Sequence, residues 1–187
     1  MNMSQITKPI LIAAGIAFFM LLTRGSHTLT PFNLPDASLV LFLLGGLWLK
    51  RAGWFAAFFV LATCIDFGAA ALDPAQGFCL TNGYWGLIPS YGAMWLGGLW
   101  LSKKQDSFAL IPYAVVGMLT TFVAFVISTQ TYYLFSGRFP AQGLVESMKH
   151  GWEYLPSWIG FAAMYFAIVW LSVALFRSIN PVQTSKV

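Results

Sequence analysis

Residues 108–135 read FALIPYAVVGMLTTFVAFVISTQTYYLF, a run of 28 residues without one Asp, Glu, Lys or Arg. Its apolar residues are continuous rather than alternating, which predicts a helix and not a barrel strand. A helix needs about 20 apolar residues to cross about 30 Å of hydrocarbon, so this run is long enough. Working outward, charged or Pro/Gly-rich breaks mark off five more apolar stretches at 9–23, 34–49, 53–72, 85–102 and 155–176. The last three meet the length requirement directly. The first two are short, and are expected to borrow flanking residues or to be shielded by neighbours.

The composition agrees. The chain has 187 residues, 58% hydrophobic and 9% charged, with ten Lys/Arg against six Asp/Glu and a formal charge of +4. A soluble domain carries about 25% charged residues, and so few charges over a soluble surface would leave large apolar patches. An ordinary cytosolic globule, a disordered chain and a disulfide-stapled mini-protein are excluded. No segment clusters basic residues with polar neighbours, so a nucleic-acid partner is not expected. Without a repeat, linker or second domain, residues 1–187 read as a single all-α domain, a polytopic bundle of six transmembrane helices in a lipid bilayer. Lys8 and stretch 9–23 resemble a signal peptide, but Arg24-Gly25-Ser26-His27 lacks the small-x-small cleavage pattern, so the segment is expected to stay.

With both termini cytoplasmic, the inner side carries seven basic residues, Lys8, Lys50, Arg51, Lys103, Lys104, Arg177 and Lys186. The outer side keeps three, Arg24, Arg138 and Lys149. That asymmetry is the positive-inside rule. Trp48, Trp54 and Trp100 fall near inner ends and Trp85, Trp152 and Trp158 near outer ends, as interfacial indoles do. Asp106 or Ser107 is expected to cap the fifth helix. Gly45, Gly46, Gly92, Ala93, Gly97 and Gly98 are expected to let helices approach closely.

No phosphate loop, zinc-type cysteine pair, HExxH helix or convincing Ser-His-Asp triad is present. The chemistry therefore rests on a few polar groups near the outer face. Asp66 lies about 9 Å inside the third stretch at 1.5 Å per residue. An intramembrane carboxylate is costly and normally faces a cavity or partner, the alternative being a hydrogen bond that only fixes packing. Cys79 sits in the loop Gln76-Gly77-Phe78-Cys79-Leu80-Thr81-Asn82-Gly83-Tyr84. Glycines there allow close backbone approach, and a thiolate is a soft metal donor. Cys79 is otherwise an inert thiol, or a disulfide partner of Cys64, the only other cysteine. His27 follows the first stretch and reads equally as ligand or solvated loop residue. Tyr84 reads as a belt aromatic. His150, Arg138 and Tyr154 carry no pattern distinct from a solvated rim. Together His27, Asp66, Cys79 and Tyr84 place an imidazole, a carboxylate, a thiol and a phenol at one face, which suits an outward-opening pocket for a large polar-edged ligand.

At these residues the chain resembles the substrate-binding S-components of energy-coupling factor vitamin transporters. More narrowly, it looks like the BtuM family of solitary, cobalamin-specific members. The resemblance runs over the whole chain and is most specific at Gly77-Phe78-Cys79-Leu80-Thr81-Asn82-Gly83-Tyr84, with His27 and Asp66. It implies a bacterial cytoplasmic-membrane protein that takes up cobalamin from outside and has no cofactor of its own. Cys79 falls on the cobalt ligand and is the residue on which removal of the upper ligand (decyanation) would depend. His27, Asp66 and Tyr84 fall on the remaining polar positions of the pocket. The resemblance also implies a small-residue docking face for a shared energy-coupling module, matched by Ala13 and Ala17, although solitary members work without a dedicated module. The alternatives are an S-component for another vitamin, a membrane thiol oxidoreductase using Cys64 and Cys79, and a structural subunit of a larger complex.

Overall fold

The computed structural model describes residues 3–24, 34–139 and 143–180. Within them the chain is all-α: α1 Met3–Arg24, α2 Ser38–Trp48, α3 Ala52–Leu72, α4 Leu87–Leu101, α5 Leu110–Phe135, a single turn α6 Leu144–Ser147, and α7 Leu155–Ile179. Two 3₁₀ turns, Pro74–Cys79 and Asn82–Gly86, join α3 to α4, and a third, Trp152–Tyr154, leads into α7. Four segments are long and apolar enough to cross a membrane: Thr7–Arg24, Ala52–Leu72, Leu110–Phe135 and Leu144–Ile179. Large apolar side chains such as Leu11, Phe18, Val60, Ile111, Leu119, Ile168 and Leu171 point out from α1, α3, α5 and α7. A polar solvent would not tolerate that girdle; lipid does. The protein is a multi-pass helical membrane protein.

The two stretches that looked short solve the problem differently. The first extends N-terminally past Pro9, giving α1 22 residues. The second stays an 11-residue helix, nine of whose residues are buried. A helix apolar on every side belongs inside a bundle, and α2 packs against α1, α3, α4 and α7 at its centre. Its tightest partner is α4. A Cβ on Gly46 would lie 2.1 Å from the Trp95 carbonyl oxygen, and one on Gly98 would lie 1.9 Å from that of Leu43. Gly45 and Gly97 likewise meet Trp95 and Thr120, so four of the expected small residues do bring helices together. Gly92 does not, because nothing lies near its Cβ position. Phe42 stacks on Tyr91 at 4.3 Å between ring centroids, fixing the α2–α4 pair in a core that includes Phe58, Met94 and Trp95.

The end of the bundle away from Arg24 is closed by Arg177, whose guanidinium holds both Asp106 oxygens at 3.0 and 2.9 Å. That contact, with a backbone bond from Phe108, keeps the Asp106 carboxyl below its usual range. Asp106 and Ser107 do not cap α5, contrary to expectation. The residue preceding α5 is Ala109, and Ser107 bonds instead to the Leu101 carbonyl. The small-residue face of α1 also turns inward: Ala13 is buried in the core and Ala17 packs against it. As folded, that face is occupied by the chain's own bundle.

Candidate functional site

The site is built from the last turns of α1 and α3, the start of α2, and the loop between α3 and α4. α5 and α7 face them across a cavity of about 520 Å³. Local sequence sets the loop. Asp73 accepts a hydrogen bond from Ala75 N–H at 3.0 Å and Thr81 from Gly83 N–H at 3.2 Å, so each 3₁₀ turn begins with a side-chain cap. The second turn lies flat on α5. A Cβ on Gly86 would fall 1.8 Å from Thr131 Oγ1, and one on Gly83 would fall 2.7 Å from the Thr131 carbonyl oxygen. Only glycine at both positions lets Tyr84, which they flank, reach back to α3.

At the polar corner Arg24 is the hub. Its Nε donates to Asp66 Oδ1 at 2.7 Å and its Nη2 to Asp66 Oδ2 at 2.6 Å. Nη1 donates to Asp36 Oδ2 at 3.2 Å, Ser38 Oγ at 3.0 Å and Tyr91 OH at 2.5 Å. Tyr84 OH donates to Asp66 Oδ2 at 2.9 Å. Asp36 accepts from Ser38 N–H at 2.8 Å and so starts α2. The fork geometry is the strong, bidentate kind of ion pair. With the Arg24 side chain 8% exposed and Asp66 21% exposed, neither charge relies on water. Burial pushes the Tyr84 phenol up to about 12, so it stays protonated and acts as a donor.

Three of the four expected polar residues, Asp66, Cys79 and Tyr84, line this one cavity. His27 lies outside the described residues. Cys79 is accessible and its thiol is free. Withdrawal of water by the surrounding loop raises its pKa, and the Asp66 carboxylate adds to that, while Arg138 and Arg24 pull the other way. Cys64 is also free, so the disulfide considered from sequence is not formed. Two residues from Asp66 on a helix is roughly the opposite face, and Cys64 is exposed and is not among the cavity lining.

The far wall is aromatic: Tyr132, Tyr133, Phe139, Tyr154 and Trp158, with Phe78 from the loop. Phe78 sits between Tyr132, at 6.0 Å between centroids, and the Arg138 guanidinium, 4.0 Å over its ring, which ties the residue before Cys79 to the end of α5. Arg138, Tyr154 and His150 (stacked on Tyr133 at 5.5 Å) thus form an organised rim. The sequence reading missed this, took Arg24 only as a topology charge, and did not single out Asp36, Ser38 or Tyr91 for the site. The available signal was Asp66 itself: an intramembrane carboxylate demands a partner, and Arg24 is a basic residue on the side expected to hold few. Among the described residues no group of three His, Cys, Asp or Glu side chains is placed to hold a metal ion. A searched comparison with known proteins gave no matching family model and no matching curated protein.

Proposed function

We propose that this protein takes up cobalamin across the cytoplasmic membrane as a solitary S-component of the BtuM type. In that reading six helices cross the bilayer with both termini inside, and the cavity opens outward. The observation that carries it is the convergence of Asp66, Cys79 and Tyr84 on one cavity at one end of a membrane bundle. Lys50 and Arg177 line a recess at the other end, where the inner basic residues belong.

The chemistry required of Cys79 is ligand substitution. Its thiol loses a proton, the sulfur donates an electron pair to cobalt in place of the lower base, and the metal itself favours the thiolate. Strong donation from below weakens the bond above. Cyanide then leaves with the electron pair of the cobalt–carbon bond and carries off the thiol proton as hydrogen cyanide, and cobalt stays in the same oxidation state. Asp66, engaged by Arg24 and Tyr84, orients the pocket and does not bind the metal. The aromatic wall offers flat apolar surface to the macrocycle. A corrinoid is larger than about 520 Å³, so only part of it enters the cavity and the rest fills the mouth.

The same volume favours a second reading, an S-component for a smaller vitamin, because fully enclosed ligands occupy pockets of about 300–1,000 Å³. One experiment separates the two. Purify the protein after growth with cyanocobalamin, beside Cys79→Ala, and record absorption spectra. A bound corrinoid with shifted bands that revert in the variant is the expected result. Identical spectra would keep uptake and discard the cobalt–sulfur bond. A wild-type protein free of corrinoid would move the assignment to the smaller vitamin.

A further inference from the structure

Among the described residues, the only charged groups lining the cavity are Arg24, Asp36 and Asp66, a formal balance of one negative charge, while Arg138 stands at the rim on the Phe78 ring and makes no hydrogen bond or ion pair to the two acids. Arg24 does not offer its charge to a ligand. Five hydrogen bonds tie it to Asp66, Asp36, Ser38 and Tyr91, and its side chain is 8% exposed. What remains toward the cavity is acceptor-rich. Asp36 is 47% exposed. The Tyr84 hydroxyl gives its hydrogen to Asp66 and keeps a lone pair. Among the described residues Asp66 Oδ1 accepts from Arg24 Nε alone.

We infer that this corner is a specificity device that accepts N–H donors from ligand carboxamides and turns away carboxylates. The inference rests on the corrinoid reading, since a corrinoid carries a ring of carboxamide side chains. An amide N–H entering here finds oxygen acceptors. A carboxylate in the same place finds two carboxylates already present and one arginine already neutralised, and like charges across an interface are strongly disfavoured. Asp36 is the more exposed of the two acids, at 47% against 21%, so it is the residue that sets the discrimination.

The test uses the full-length protein in detergent and equilibrium binding of cyanocobalamin against its monocarboxylates, each with one carboxamide hydrolysed. At least one acid should bind about tenfold more weakly than the parent, a gap of about 1.4 kcal/mol. Asp36→Asn keeps an oxygen to accept from Ser38 N–H and should narrow the gap, whereas Asp36→Glu should preserve it. Equal binding of parent and all acids by the wild type overturns the inference and leaves the corrinoid reading standing. So does a gap unchanged in Asp36→Asn, or a loss of binding confined to that variant. If the wild type binds neither parent nor acids, the corrinoid reading falls and takes this inference with it.

Discussion

Arg24 and Asp66, 42 residues apart in sequence, share two parallel hydrogen bonds, Nε to Oδ1 at 2.7 Å and Nη2 to Oδ2 at 2.6 Å. The pair joins the end of α1 to α3, and through Asp36, Ser38 and Tyr91 it reaches α2 and α4 as well.

Removing one partner of a buried ion pair costs about 3–5 kcal/mol, because the other is left uncompensated. Arg24→Gln and Asp66→Asn should therefore each lower the unfolding midpoint, and the double variant should lose much less than the sum. Arg24→Lys should not restore stability, since an ammonium cannot make the fork. A double-mutant cycle on detergent-solubilised protein reads this out, and additive losses would show that the pair is not coupled.

Small residues on α4 divide into those that set a backbone distance and those that do not. Gly98→Ala drives a Cβ to 1.9 Å from the Leu43 carbonyl oxygen, and on α2 Gly46→Ala drives one to 2.1 Å from that of Trp95. In both cases the obstacle is backbone, so α2 and α4 must separate, at a cost of about 1–3 kcal/mol or more. Gly92→Ala meets open space and should be neutral or stabilising by up to about 1 kcal/mol, from helix propensity. Thermal unfolding of the three variants side by side checks the order.

How much of this was legible in the sequence follows from which interactions are local. Continuous apolar runs showed the helices, because an apolar run is a property of one segment, but not always their length: 85–102 read as long enough to span, whereas α4 has 15 residues because the 3₁₀ turn Asn82–Gly86 takes up the start of the stretch. The central burial of α2 was legible only as a deficit of length. That Asp66, Cys79 and Tyr84 line one cavity agrees with their expected common end of the bundle. The hub was not legible: Arg24 touches residues 12 to 67 positions away, and nothing at Arg24 itself separates a topology charge from an ion-pair partner. The α5 start was misread for a related reason. Asp106 has the composition of a cap, but Arg177, 71 residues away, engages both its oxygens.

Cys79 titrates above an ordinary thiol, since burial and Asp66 raise it. Only the thiolate is alkylated, so in a Cys64→Ser background the labelling rate should climb at a more alkaline pH than for a free cysteine. Arg138 favours the thiolate, and Arg138→Gln should move the profile further toward alkaline pH. The same variant frees the Phe78 ring, so labelling measured well above the thiol pKa separates altered access from altered charge. A shift toward neutral pH in Arg138→Gln would contradict the electrostatic assignment.

Lys50 closes α2 with φ at 62°, among the described residues the only non-glycine in the left-handed region. Its N–H bonds to the Gly45 carbonyl at 3.3 Å, in the way helices commonly end on glycine. A side chain in that conformation costs about 1–2 kcal/mol, so Lys50→Gly should raise the unfolding midpoint by a comparable amount. Arg51 stays beside it to hold the basic character of that end. Lys50→Ala separates the two contributions of the lysine: it removes the charge while keeping the strain, and should leave stability near wild type. Unfolding curves that rank glycine above alanine, with alanine close to lysine, would assign the gain to the backbone. Equal gains from both would assign it to loss of the charge.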